Sequence, residues 1–105
     1  MFRDIADSIY HDIPAPKFLG YENGVDVTRF YKGQIPSDMN INLLIQQLND
    51  NNYSTRFLRE DKKMTAAYLF YTKGFIRRVE TQIYIEVDID NISNFKATYF
   101  SSLDI

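Results

Sequence analysis

Apolar residues recur along this chain with two different periods, and the change of period falls near residue 53. Before it, Phe2, Ile5, Ile9 and Ile13 return at intervals of three and four, which predicts a short amphipathic helix stopped by the Pro14-Ala15-Pro16 segment. Ile41, Leu44, Ile45 and Leu48 form a second stripe of the same kind, so a principal helix is expected over 37–49, with Ser37 or Asp38 as N-cap. Asn51 and Asn52 are suited to the left-handed position that ends it. Between the two helices, Asn23-Gly24 separates two runs rich in aromatic and β-branched residues, which predicts a β-hairpin over 17–31 with a type I′ turn.

After residue 53 the period is two, and strands are expected at 53–59, 64–72, 75–89 and 95–103. With Asp61-Lys62 and Lys73-Gly74 at the centres of tight turns, Phe57 faces Ala66, Tyr53 faces Phe70, Tyr68 faces Val79 and Met64 faces Ile83. One face then gathers Tyr53, Thr55, Phe57, Met64, Ala66, Tyr68, Phe70, Val79, Thr81, Ile83, Ile85 and Val87, ready to receive the second helix. The expected fold is α+β: a mainly antiparallel sheet of five or six strands, the 37–49 helix packed on one face, and a short N-terminal helix. A chain of 105 residues makes this one domain, 1–105, able to bury about 65% of its unfolded surface.

Composition narrows the chemistry. A formal net charge of −2 gives no footprint for duplex nucleic acid. With no cysteine there is neither a disulfide nor a thiolate metal site, and the single His11 cannot build a zinc site. The acidic residues within 1–13 argue against a secretory signal, and no apolar run has the ~18 residues of a membrane span, so a cytoplasmic location away from membranes is expected.

Four carboxylates, Glu80, Glu86, Asp88 and Asp90, project from one side of the third long strand. Carboxylates two residues apart can hold Mg²⁺ or Mn²⁺, and a metal-dependent phosphoryl-transfer or nuclease-like enzyme built on Glu86, Asp88 and Asp90 is the alternative in the enzyme class. The Gly-rich phosphate loop such an enzyme needs is missing, because the four glycines stand singly. A calcium loop starting at Asp88 fails too, with Ser93 where Gly and Tyr99 where Glu is required. Acids solvating an outer face account for the pattern without metal. Ser8 and His11 sit three apart on the first helix, but no orienting carboxylate or oxyanion donor accompanies them. The Arg59–Lys63 charge run reads as a hairpin tip. No catalytic residue, cofactor site or metal site is therefore assigned.

The outer sheet face is the surface of interest. It gathers Arg56, Leu58, Ala67, Leu69, Tyr71, Arg78, Glu80, Gln82 and Tyr84, and arginine and tyrosine beside exposed leucine is the composition that interface centres favour. The partner-binding residues assigned here are Arg56, Leu58, Leu69, Tyr71, Arg78 and Tyr84. Cover by the N-terminal helix or the first hairpin is the competing account of this face. A single-stranded nucleic-acid platform is a further alternative, opposed by the carboxylates among the rings. The expected function is that of a small non-enzymatic protein that binds another protein, of the inhibitor, immunity or adaptor type that phages and mobile elements encode. A homodimer through the last strand is expected as well, since Phe95, Tyr99, Phe100 and Leu103 are many apolar groups for a terminal strand.

Overall fold

The computed structural model describes residues 1–72 and 78–104, the side chains of residues 71, 72, 78, 79, 103 and 104 excepted. Two α-helices, α1 (Phe2–Asp12) and α2 (Ile41–Asp50), accompany strands β1 (Val25–Asp26), β2 (Ser54–Leu58), β3 (Lys63–Thr72), β4 (Arg78–Asp88) and β5 (Phe95–Asp104). The strands form one antiparallel sheet in the order β1-β5-β4-β3-β2. The fold is α+β, as expected: the short N-terminal helix, the principal helix and the four long strands β2 to β5 are those read from the periodicity, and β1 is the fifth strand.

Each helix ends for a local reason. Pro14 forces the residue before it out of the helical region, and Ile13 is extended at φ −110°, ψ 125°. α2 starts at Ile41, four residues after the expected start at 37, and neither Ser37 nor Asp38 is its cap. Residues 36–39 close a turn, with Met39 N–H on the Pro36 carbonyl, and the cap is Asn40, whose side chain accepts from Asn42 N–H at 2.8 Å. At the other end Asn52 takes the left-handed conformation at φ 69°, and Tyr53 N–H returns to the Leu48 carbonyl.

Both helices contribute to one core against the inner face of the sheet. Phe2, Ala6 and Ile9 of α1 and Leu44 and Leu48 of α2 are buried in a single cluster with Met64, Ala66, Phe70, Ile83, Ile85, Val87, Ala97 and Tyr99. A short polar chain crosses it. Tyr53 Oη donates to the Phe2 carbonyl at 2.8 Å, so the 2.8 Å contact between the Tyr31 and Tyr53 hydroxyls has Tyr31 as donor. Burial pushes the pKa of both hydroxyls well above the ordinary tyrosine value.

Three expectations need correction. The β2–β3 register is Phe57 opposite Met64 rather than Ala66, because the loop is 59–62, with Lys62 left-handed at φ 51°. The β3–β4 register puts Tyr68 opposite Ile83 rather than Val79, and Thr72 opposite Val79; the turn expected at Lys73-Gly74 lies outside the described residues. Both slips are by an even number of residues, which leaves every side chain on its expected face. Phe57 nevertheless is 45% exposed and not a core residue.

The third correction is larger, because the 17–31 hairpin does not form. Tyr21–Asn23 and Thr28–Phe30 are 3₁₀ turns flanking the two-residue β1. Gly24 sits at φ −75°, so no type I′ turn uses it. It is small because the chain lies on β5: an added Cβ would collide with Thr98 Cγ2 and stand 3.2 Å from Phe100 Cβ.

Candidate protein-binding face

Cross-strand partners share a face, so the register assigns the outer one directly. It carries Ser54, Arg56 and Leu58 of β2, Lys63, Thr65, Ala67 and Leu69 of β3, Gln82, Tyr84 and Glu86 of β4, and Lys96, Thr98 and Phe100 of β5. The N-terminal helix lies on the opposite, inner face. Among the described residues, what covers the outer face is the Tyr21 segment, on the β5 side. The Tyr21 ring meets Phe100 edge-on at 5.4 Å and Tyr84 at 5.9 Å, and its hydroxyl accepts from Thr98 Oγ1 at 3.4 Å. Gly20, which leads into this turn, takes φ 107°. Gln82 is tied to β5 as well, through Nε2 donating to Ser102 Oγ at 3.3 Å.

Among the described residues nothing covers the β2–β3 side of the same face. A trough of about 410 Å³ lies there, lined by Ser54, Thr55, Arg56, Leu58, Thr65, Ala67 and Tyr84. Short side chains make the floor, and Arg56, Leu58 and the half-buried Tyr84 make the walls. Leu69, 41% exposed, stands two residues along β3 from Ala67 on the same face. Of the six residues assigned from sequence, the fold brings Arg56, Leu58 and Tyr84 around one trough and sets Leu69 beside it. Tyr71 and Arg78 hold outer-face positions by register, opposite Glu80 and Asp104, but their side chains lie outside the described ones. The floor residues Ser54 and Thr65 and the covering Tyr21 were not singled out. The short side chains at alternate positions 65 and 67 are the signal for the floor.

The acidic row of β4 has an intramolecular counterpart. Glu86 Oε2 is 3.8 Å from Lys63 Nζ and stands opposite Lys96 in the sheet; Asp90 Oδ2 is 3.8 Å from Lys62 Nζ. Asp88 lies opposite Lys63 and accepts from Asp90 N–H at 3.0 Å, shaping the turn after β4. The carboxylates thus alternate with lysines of neighbouring strands along one end of the face. Among the described residues no group of three or more His, Asp or Glu side chains is placed to hold a metal ion. His11 Nδ1 contacts Asp12 Oδ1 at 3.0 Å on the exposed end of α1. No described helix is long and apolar enough to cross a membrane.

The last strand is not an uncovered edge. Gly20 N–H donates to the Ser101 carbonyl, Val27 N–H to the Ala97 carbonyl, and Ala97 N–H to Thr28 Oγ1, while β1 pairs with Thr98 and Tyr99. Tyr99 is fully buried, and Phe100 is buried under Tyr21. The structural premise for a dimer through β5 is therefore not met. Comparison with known proteins adds nothing to this geometry: no family model, curated protein or solved structure matches the chain.

Proposed function

We propose that this protein works by binding another protein through the open half of its outer sheet face, as an inhibitor, immunity or adaptor protein does, and that it performs no chemistry of its own. The observation that carries the reading is the one-sided cover of that face: Tyr21 occupies the β5 side, and a trough walled by Arg56, Leu58 and Tyr84 is left at β2 and β3. Tyrosine and arginine provide large contact area together with hydrogen bonding, and a floor of short side chains gives a partner's side chain somewhere to enter. Among the described residues no carboxylate stands within 4.0 Å of Arg56, so its guanidinium has donors to offer. The lysine-matched carboxylates lie beside the trough, Glu86 in the cross-strand row of Thr65 and Arg56 and Asp88 in that of Lys63 and Leu58, and act on orientation rather than on a metal.

The test is affinity capture from the native host with the parent chain and with Arg56→Ala, Leu69→Ala and Tyr84→Ala. Each substitution is expected to weaken binding of the captured protein by about 1–3 kcal/mol. The melting temperature should stay near the parent's for the two exposed positions. Lys62→Ala, on the hairpin tip, is the control. A partner retained equally by all three variants would overturn the assignment of this face.

A further inference from the structure

The two lateral edges of the sheet are finished differently, and the difference points to a second copy of the chain. We infer that β2 pairs antiparallel with β2 of another molecule across a twofold axis, joining two five-stranded sheets into one. This inference does not rest on the outer-face reading above: it rests on the backbone groups of the strand edge, although Arg56 and Leu58 border both surfaces.

The direction of the backbone groups is the first observation. The Lys62 carbonyl accepts from Ile89 N–H, so residues 62, 64 and 66 turn toward β4, and residues 63, 65 and 67 turn toward β2. Their partners Leu58, Arg56 and Ser54 therefore turn toward β3. The N–H and C=O groups of Thr55 and Phe57 are left pointing away from the sheet, and among the described residues no backbone group meets them. Helix α2 does not close this edge. Its last turn reaches the strand through a side chain, with Thr55 Oγ1 donating to Asn49 Oδ1 at 3.0 Å, and leaves the backbone groups of the edge unbonded. Phe57 remains 45% exposed beyond it.

Charge and side-chain match select the register. A twofold pairing that keeps inner faces together must be centred on a residue of β2. Centred on Arg56, it would set two guanidinium groups directly opposite each other, which is unfavourable. Centred on Thr55, it would draw in Tyr53, whose N–H is already given to the Leu48 carbonyl. Centred on Phe57, it places the exposed aromatic ring against its own copy, where the two Phe57 backbones exchange both hydrogen bonds. Arg56 then lies over Leu58 of the second copy, its stem on apolar surface and its head in water. Arg59, the first residue of the 59–62 loop, has its carbonyl accepting from Lys62 N–H but its own N–H in no backbone bond among the described residues; it lies opposite Thr55 of the second copy, next to Asn49 in the last turn of α2, where the helix carbonyls carry partial negative charge. In this register only Arg56, Phe57 and Leu58 meet β2 residues of the second copy, so the seam is small and the dimer weak and concentration-dependent.

Sedimentation velocity of the parent chain from ~10 µM to ~1 mM tests the association, since interfaces of this size are transient. A rise from monomer to dimer is expected. Phe57→Lys should weaken it at least tenfold at an unchanged melting temperature, and Leu69→Ala, on the outer face, should leave it unaltered. The chain has no cysteine, so the register can be read by oxidation. A mixture of Arg56→Cys and Leu58→Cys chains should form a mixed disulfide at least tenfold faster than either variant forms one alone. A chain that stays monomeric throughout the range, or Phe57→Lys associating like the parent, would overturn the inference. Faster cross-linking of Arg56→Cys by itself would overturn the register.

Discussion

The β5 edge and the β2 edge of the sheet solve the same physical problem in opposite ways. An edge strand presents unpaired N–H and C=O groups, and β5 has them taken up by Gly20, Val27, Thr28 and the short β1, all from the irregular segment before α2. That segment also folds Tyr21 over the adjacent outer face. At β2 the corresponding groups of Thr55 and Phe57 meet no backbone partner among the described residues, and the neighbouring outer face is an open trough. One irregular stretch of chain thus closes an edge and half a face together. Apolar content alone does not tell an edge from a core: the aromatic-rich β5 is closed, and the shorter, arginine-bearing β2 is open.

Substitutions separate the two regions by size of effect. Leu44→Asp puts an unpaired charge into the shared core and should abolish cooperative melting, at a cost of about 4 kcal/mol or more. Tyr53→Phe leaves the Tyr31 hydroxyl and the Phe2 carbonyl without their partner, and should cost about 1–3 kcal/mol in thermal or urea unfolding. The same tyrosines set an alkaline limit. Their folded pKa values are raised, so their contribution is fully present below the ordinary value of 10.0 and declines as pH rises above it. The decline should be shallower in Tyr53→Phe, and an identical profile in the variant would show that the buried pair does not govern it.

Gly24→Ala probes the closed edge. It forces a methyl group against Thr98 and Phe100, and should cost about 1–3 kcal/mol while raising solvent access to Tyr21. Phe57→Asp, at the open edge, should cost about 1 kcal/mol or less, because the ring is already 45% exposed. A melting temperature for Phe57→Asp as low as that of Leu44→Asp would mean that β2 is not an open edge at all.

That last pair shows what the sequence makes legible. The α2 stripe and the two-residue alternation of β2 to β5 identify the inner and outer faces because facing depends only on parity, and the slips of register were even. Loop length was not legible, since the left-handed position of the first hairpin falls on Lys62, a residue with no preference for it. Asn23-Gly24 misled for a related reason. Glycine there answers a close approach to β5 rather than a positive φ, and only the tertiary contact distinguishes the two needs. For the site, Arg56, Leu58, Leu69 and Tyr84 follow from alternation alone. Phe57 shares its face with core residues, and its exposure depends on where α2 stops covering the strand.

The central claim, that β5 is a closed edge and β2 an open one, is tested most directly by residue-resolved amide hydrogen exchange at low protein concentration. The Gly20, Val27 and Ala97 amides should be protected, as bonded groups on the closed side. The Thr55 and Phe57 amides should exchange much faster than those of Arg56 and Leu58 beside them in the same strand. Equal protection along all of β2 in the dilute monomer, or rapid exchange at Val27 and Ala97, would contradict the account.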